Sequence, residues 1–349
     1  MWALVIKELR QVRRDRRTLA MMIVLPLLLL VMFGYAASFD VSEIQTAVLG
    51  ESAGDMAPRL GGPFHVTSTQ PEGGRAEAVE MLRDGDATVA VVATDASPEV
   101  LVDGSKLFEA RAAVTALGRV GAPAPEVLFN PGLETSAVMV PALAGLILIF
   151  VGTMITSLGV VRERQAGTME QLAVMPFKPH DVFMGKIAPY FLVAGVDLAI
   201  ILGVGTWLFD VPFNGSAWIL ALGALLFLFV TLGLGVLISS VSENQGQAIQ
   251  LALMTLLPQI LLSGMIFPLE SMAAGVRWIS YLLPLRYFIE IARGVMLRGA
   301  PLDSLWEPMA FLAALGFVVF TMAIVRFRRE LAPARPRRTG RPRARQAAA

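Results

Sequence analysis

Residues 162–176, RERQAGTMEQLAVMP, set two arginines and two glutamates between two strongly apolar runs. Within TMEQ, Thr168 can cap a helix while Gln171, three residues on, reaches back to the cap, the capping-box arrangement. Glu170 falls in the first turn, where the helix dipole favours an anion, and Pro176 ends the helix. Gly167 lets the chain bend before the cap. The segment therefore spells a helix of about two turns, too short to be stable alone in water. It needs a surface to dock on.

Other polar residues stand where a membrane would make them costly. Asp197 lies mid-way along an apolar run, where a carboxylate is by default a functional candidate or a buried pairing partner. Gln259 and Ser263 follow Pro258 in another such run, where proline frees a carbonyl and invites a kink. Arg286, Glu290 and Arg293 follow one another at i+4 and i+3 steps, a spacing that allows pairing along one helix face or a gate. Thr231, Gly235 and Ser239 recur every four residues, the pattern of close helix packing.

Other chemistry is excluded. The chain has no cysteine and only two histidines, His65 and His180, which removes disulfides, thiolate metal sites and an HExxH metal cluster. No GxxxxGK[ST] loop is present; Gly185-Lys186 has His180 where the upstream glycine belongs. With no nucleophile elbow and no paired-carboxylate pocket, the chain is read as a non-enzyme that holds no cofactor of its own.

The elements that must position these residues are mostly apolar helices. Of the 349 residues, 55% are hydrophobic and 16% charged, well below the charged fraction of soluble domains. Six runs are long enough to cross a bilayer, at 18–37, 136–161, 187–209, 217–239, 248–268 and 305–325. The first exceeds the length of a signal-peptide core and is read as a retained span. Lys and Arg cluster before the first run, between the second and third, and after the sixth, where nine arginines lie between Arg326 and Arg345. By the positive-inside rule these segments, and both termini, are cytoplasmic.

Residues 38–135 then lie outside, with 15 acidic and 6 basic residues. IQTAVLG, ATVAVVAT and PEVLVDG read as strands, and GRAEAVEMLRDG and KLFEARAAVTALGRV as amphipathic helices, so a small α/β extracytoplasmic domain is expected. Three charges make YLLPLRYFIEIARGVML, residues 281–297, a poor span, each costing roughly 2.5–3.5 kcal/mol at mid-bilayer. Residues 269–304 are therefore read as short helices re-entering the outer face. Residues 1–17 read as a basic amphipathic helix lying in the cytoplasmic interface. The Pro- and Arg-rich tail 326–349 is expected to be disordered and drawn to anionic lipid rather than nucleic acid. The fold class is thus an α-helical polytopic membrane protein with six transmembrane helices and a small outer α/β domain.

Four stretches, KELRQVRRDRRTLAMMIVLPLLLLVMFGYA, VDGSKLFEARAAV, RERQAGTMEQLAVMPF and SGMIFPLESM…WISYLLPLRYFIEIARGVMLRG, keep one order along most of the chain. In that order the sequence resembles the permease subunit of a type-2 ATP-binding-cassette (ABC) exporter, in the branch with a large outer domain after span one. The resemblance implies that 162–176 is a coupling helix docking into a separate ATPase, with Glu163, Gly167, Thr168, Glu170, Gln171 and Leu172 at the joint. Asp197, Gln259, Ser263, Arg286, Glu290 and Arg293 become candidates for a pathway or gate. The implied partners are the ATPase subunit, which binds ATP and Mg, a second permease copy or paralogue, the lipid bilayer, and, at the outer domain, a periplasmic adaptor. The implied setting is a bacterial inner membrane. The implied activity is export of a hydrophobic or amphipathic compound. The alternative is a non-transporting protein that passes ATPase-driven force or signal to its outer domain.

Overall fold

The computed structural model describes residue 2 and residues 6–7, 16–36, 41, 43–94, 98–119, 121–167 and 179–331. The expected interfacial helix falls almost wholly outside these residues, as do most of the 162–176 segment and the basic tail beyond 331.

Between the first two long helices lies a five-stranded sheet: β1 (Ile44–Leu49), β2 (Phe64–Gln70), β3 (Val89–Val92), β4 (Glu99–Asp103) and β5 (Glu126–Leu128), in the order β2-β1-β3-β4-β5. All neighbours are parallel except β3 and β4, which a short connection joins as a hairpin. A parallel sheet must be covered on both faces, and this one is. On one face Val48, Val89, Val91 and Val102 meet Ala110, Ala113 and Leu117 of a helix at Leu107–Arg119. On the other, Ala47, Leu49, Ala90 and Leu101 meet Ala78 and Leu82 of a helix at Arg75–Asp84. With the short helix Ala53–Met56 counted as α2, these two are α4 and α3, and the first long helix, Arg16–Ala36, is α1. The expected α/β fold of this region is present, with β2 and β5 added to the three strands read from sequence. β2 alternates half-buried and exposed residues along the sheet edge, so FHVTSTQ lacks the apolar run that marked the others.

The helical part comprises α5 (Thr135–Gln165), α6 (Pro179–Leu208), α7 (Ala217–Val241), α8 (Gln245–Leu262), two short helices α9 (Ala274–Ser280) and α10 (Pro284–Arg293), and α11 (Trp306–Leu331). Among the described residues four helical stretches are long and apolar enough to cross a membrane: Thr135–Gln165, Ala188–Leu208, Ala217–Val241 and Trp306–Arg326. The other two expected spans correspond to α1 and α8. α8 stops at Leu262 rather than at Pro268, because Ser263 closes it and Gly264 turns the backbone to φ +81°. α10 has 10 residues, or about 15 Å of helix, half a bilayer core.

α5 and α7 form the centre. The Thr231-Gly235-Ser239 face lies against α5, where Thr153 Oγ1 donates to the Thr231 carbonyl at 3.4 Å. A Cβ on Gly235 would stand 2.7 Å from Thr156 Cβ and 2.9 Å from the Thr153 carbonyl oxygen. The expected small-residue packing face is therefore what sets this interhelical distance. α10 closes the bundle at the sheet end with Phe288 stacked on Phe227 at 4.6 Å and Tyr287 on Phe311 at 5.2 Å. Large apolar side chains face outward on the flanking helices, with Leu192, Trp207 and Phe317 each more than 70% exposed.

Candidate functional site

The structure sorts the singled-out residues into two places at opposite ends of α5. At its C-terminal end the helix runs to Gln165, and Gly167 takes φ +73°, the left-handed bend expected before the Thr168 cap. Glu163 lies on the last turn, half-buried. Thr168, Glu170, Gln171 and Leu172 lie outside the described residues.

What holds this end is the turn between α7 and α8. Arg164 Nη2 donates to the carbonyl of Ser239 at 3.0 Å and to that of Ser242, and Gln245 Nε2 donates to Gln165 Oε1 at 3.2 Å. The turn is itself fixed, since Asn244 Oδ1 accepts from the Gln247 backbone N–H at 2.9 Å and Gln247 Oε1 from that of Glu243 at 2.9 Å. This reciprocal cap was readable from Asn244 and Gln247 standing three residues apart. Arg164 thus links the start of the interrupting segment to the end of α7, and its neighbour Gln165 links it to the start of α8.

At the other end of α5 the sheet meets α10 and the segment after α8 around a cavity of about 260 Å³. Its charged lining residues are Lys106, just before α4, Glu109 from α4, Glu270 from the loop after α8, Arg286, Glu290 and Arg293 from α10, and Arg298 beyond. The spacing of Arg286, Glu290 and Arg293 suggests pairing among themselves, but the arginines are held by other groups. Arg286 Nη1 donates to Ser280 Oγ at 2.7 Å and its guanidinium lies 4.1 Å from the Tyr281 ring centroid. Arg293 Nε donates to the Val138 carbonyl at 3.2 Å and its Nη1 to that of Gly264 at 3.4 Å. Ser280 and Tyr281 lie just before α10, whereas the Val138 and Gly264 carbonyls come from other parts of the chain, which sequence spacing does not reveal.

Two further contacts fasten the sheet to the helices. Arg298 Nη1 stands 3.7 Å from Asp103 Oδ2, and both side chains are buried. Ser304 Oγ donates to Asp84 Oδ1 at 2.6 Å. Gly85, at φ +90°, leaves the space Arg298 occupies: a Cβ there would come within 2.7 Å of its Nη1. Burial, then the neighbouring Glu270, pushes the Glu109 carboxyl up to about 7.

Ser263 lines the same cavity with its hydroxyl buried and unpartnered. Gln259 sits beneath, its Oε1 accepting the Leu285 N–H at 3.2 Å, the first turn of α10. This side chain ties α8 to α10. Asp197 is apart from both places, half-buried on α6 between buried Ala194 and Leu198. Arg298, Asp103, Arg164 and the α7–α8 turn were not singled out from sequence; each acts through a partner more than 70 residues away.

A family model described as ABC-2 family transporter protein matches residues 16–325. The chain belongs to the ABC-2 transporter family. Among its relatives, the Escherichia coli K12 protein named "Probable multidrug ABC transporter permease YbhR" is 28% identical over 363 aligned positions, covering 95% of this chain and 99% of the relative. "Probable multidrug ABC transporter permease YbhS" of the same organism is 30% identical, covering 85% of this chain and 88% of its own. "Inner membrane transport permease YhhJ", also from that strain, is 33% identical over 58% of this chain. These relatives are transport permeases, and the ABC-2 chain described here is a membrane transporter permease.

Proposed function

We propose that this ABC-2 permease forms a dimer, with a second copy or a paralogue, that exports a hydrophobic or amphipathic compound, driven by ATP hydrolysis in a separate ABC ATPase subunit that holds ATP and Mg. It sits in a bacterial inner membrane with six spans, α1, α5, α6, α7, α8 and α11. Both termini and the 162–176 segment are cytoplasmic, and the sheet domain is outside, where α9 and α10 re-enter. The observation that supports coupling most directly is the Arg164 clamp. A segment docked on an ATPase and continuous with Arg164 and Gln165 pushes on the Ser239 and Ser242 carbonyls at the end of α7 and on Gln245 at the start of α8, and so moves the two helices together. The multidrug names of two relatives favour an amphipathic cargo.

The second reading, transmission of force to the outer domain without transport, draws on the Arg298–Asp103 and Ser304–Asp84 ties between helices and sheet. Substitutions on the half-buried polar residues of α8 separate the two. Under export, Gln250→Leu and Thr255→Val change the pattern of compounds to which expressing cells are resistant. An unchanged pattern, with function altered only by sheet-domain changes, would favour transmission.

A further inference from the structure

The cavity between the sheet and α10 has no role in the coupling scheme, yet it is built in a particular way. Its three arginines are each anchored by one part of the guanidinium and leave another part unused. Arg286 is held through Nη1 and Arg293 through Nε and Nη1, while Arg298 faces Asp103 with Nη1. Arg286 Nε, Arg293 Nη2 and Arg298 Nε are buried with no hydrogen-bond partner. Arg298 is only 7% exposed. Buried N–H groups are rarely left without an acceptor, and three guanidinium donors beside one cavity call for one. Near 260 Å³ the cavity holds far more than one water, whose share of liquid volume is about 30 Å³.

We propose that this cavity is a binding site for an anionic group, a phosphate, sulfate or carboxylate, held by the guanidinium groups of Arg286, Arg293 and Arg298, which line it, with Lys106 at its edge. Guanidinium groups suit such oxyanions, because their planar fork of N–H donors matches two oxygens at once. Lys106 and the three arginines face Glu109, Glu270 and Glu290, with Asp103 behind Arg298, so the wall gains a net positive charge when one of these carboxyls takes up a proton. The groups facing Glu109 are Glu270 from the loop after α8, Arg293 from α10 and Lys106 just before its own helix. With its carboxyl pushed up to about 7, Glu109 is largely uncharged below neutrality, which leaves the wall more positive. Binding is therefore stronger in mild acid and weakens as Glu109 ionises. Because the wall is shared by α4 and α10, an occupied site also fastens the sheet to the helices. The inference rests on the cavity alone and does not depend on export.

The test is thermal unfolding of the full chain, first in detergent with sulfate titrated against chloride at matched ionic strength. Sulfate does not change charge over the range used. The second arm uses nanodiscs of phosphatidylcholine with and without phosphatidylglycerol. The expected result is a saturable rise in melting temperature. Apparent affinity should be about tenfold weaker near pH 8 than near pH 6, since Glu109 titrates between them. Arg293→Gln should lose the rise. Glu109→Gln, which need not disturb folding, should keep it and remove the pH difference. A response to sulfate identifies a soluble anion as sufficient, and one confined to phosphatidylglycerol identifies a lipid headgroup. No rise beyond chloride with either probe overturns the site, as does a rise that is the same in wild type and Glu109→Gln at both pH values.

Discussion

At the scale of single residues, Arg298 and Asp103 carry the clearest energetic consequence. The Asp103 side chain is fully buried, with Oδ1 taking the Ser105 N–H at 2.8 Å and Oδ2 facing Arg298. Arg298→Ala leaves a buried carboxylate without its ion-pair partner, a change that costs about 3–5 kcal/mol. It should lower the melting temperature of the detergent-solubilised chain, and Arg298→Ala with Asp103→Asn should recover part of the loss. Glu109 gives a pH dependence of definite sign. Its carboxyl is raised from 4.5 to about 7 in the folded chain, so the folded state binds the proton more tightly than the unfolded one. Stability should fall as pH rises from about 4.5 to about 7 and then level off. Glu109→Gln should flatten that slope in melts taken across the window.

At the scale of elements, the α5–α7 contact sets the geometry of the bundle. Gly235→Leu forces a side chain into Thr156 and the Thr153 carbonyl. The expected loss is about 1–3 kcal/mol, from overpacking that prises the helices apart. Circular-dichroism melts of Gly235→Leu beside Gly235→Ala measure it, with the larger side chain expected to do more damage. This contact was legible in the sequence because small residues at four-residue steps lie on one face of one helix. So were β1, β3 and β4, whose β-branched runs are buried on both faces, and the bend at Gly167. β2 was not legible, because an edge strand with alternating polar residues resembles a loop. The partners of Arg293 were not legible either. Helical spacing says which side chains share a face, while the carbonyls of Val138 and Gly264 reach Arg293 only through tertiary packing. The capping pair Asn244 and Gln247 carried a local signal, but its meaning depends on Arg164, 80 residues before Asn244 along the chain.

At the scale of the whole molecule, the two ends of α5 bring two kinds of contact to one rod. One end is clamped to the α7–α8 turn beside the 162–176 segment. The other carries the sheet through Arg111, whose Nη2 donates to the Leu133 carbonyl at 2.8 Å and to Thr135 Oγ1 at 3.2 Å. Thirty-one residues of helix join them, about 46 Å, enough to pass through a bilayer core and beyond. The proposed topology can be read from single cysteines, since the chain has none of its own. Glu72→Cys, exposed in the sheet domain, should react with an impermeant maleimide in intact cells. Ala166→Cys, exposed at the end of α5, should react only after the membrane is opened. Reversed labelling would contradict the orientation.

The coupling of this permease to an ATPase is tested most directly by affinity purification of the tagged chain in mild detergent. Mass spectrometry then identifies what accompanies it, and ATP hydrolysis is assayed in the same sample. The expected result is a co-purifying subunit with a phosphate-binding loop and measurable ATPase activity, both lost in Glu170→Arg while membrane insertion is retained. An unaltered complex and unaltered hydrolysis in Glu170→Arg would contradict the assignment of 162–176 as the coupling element.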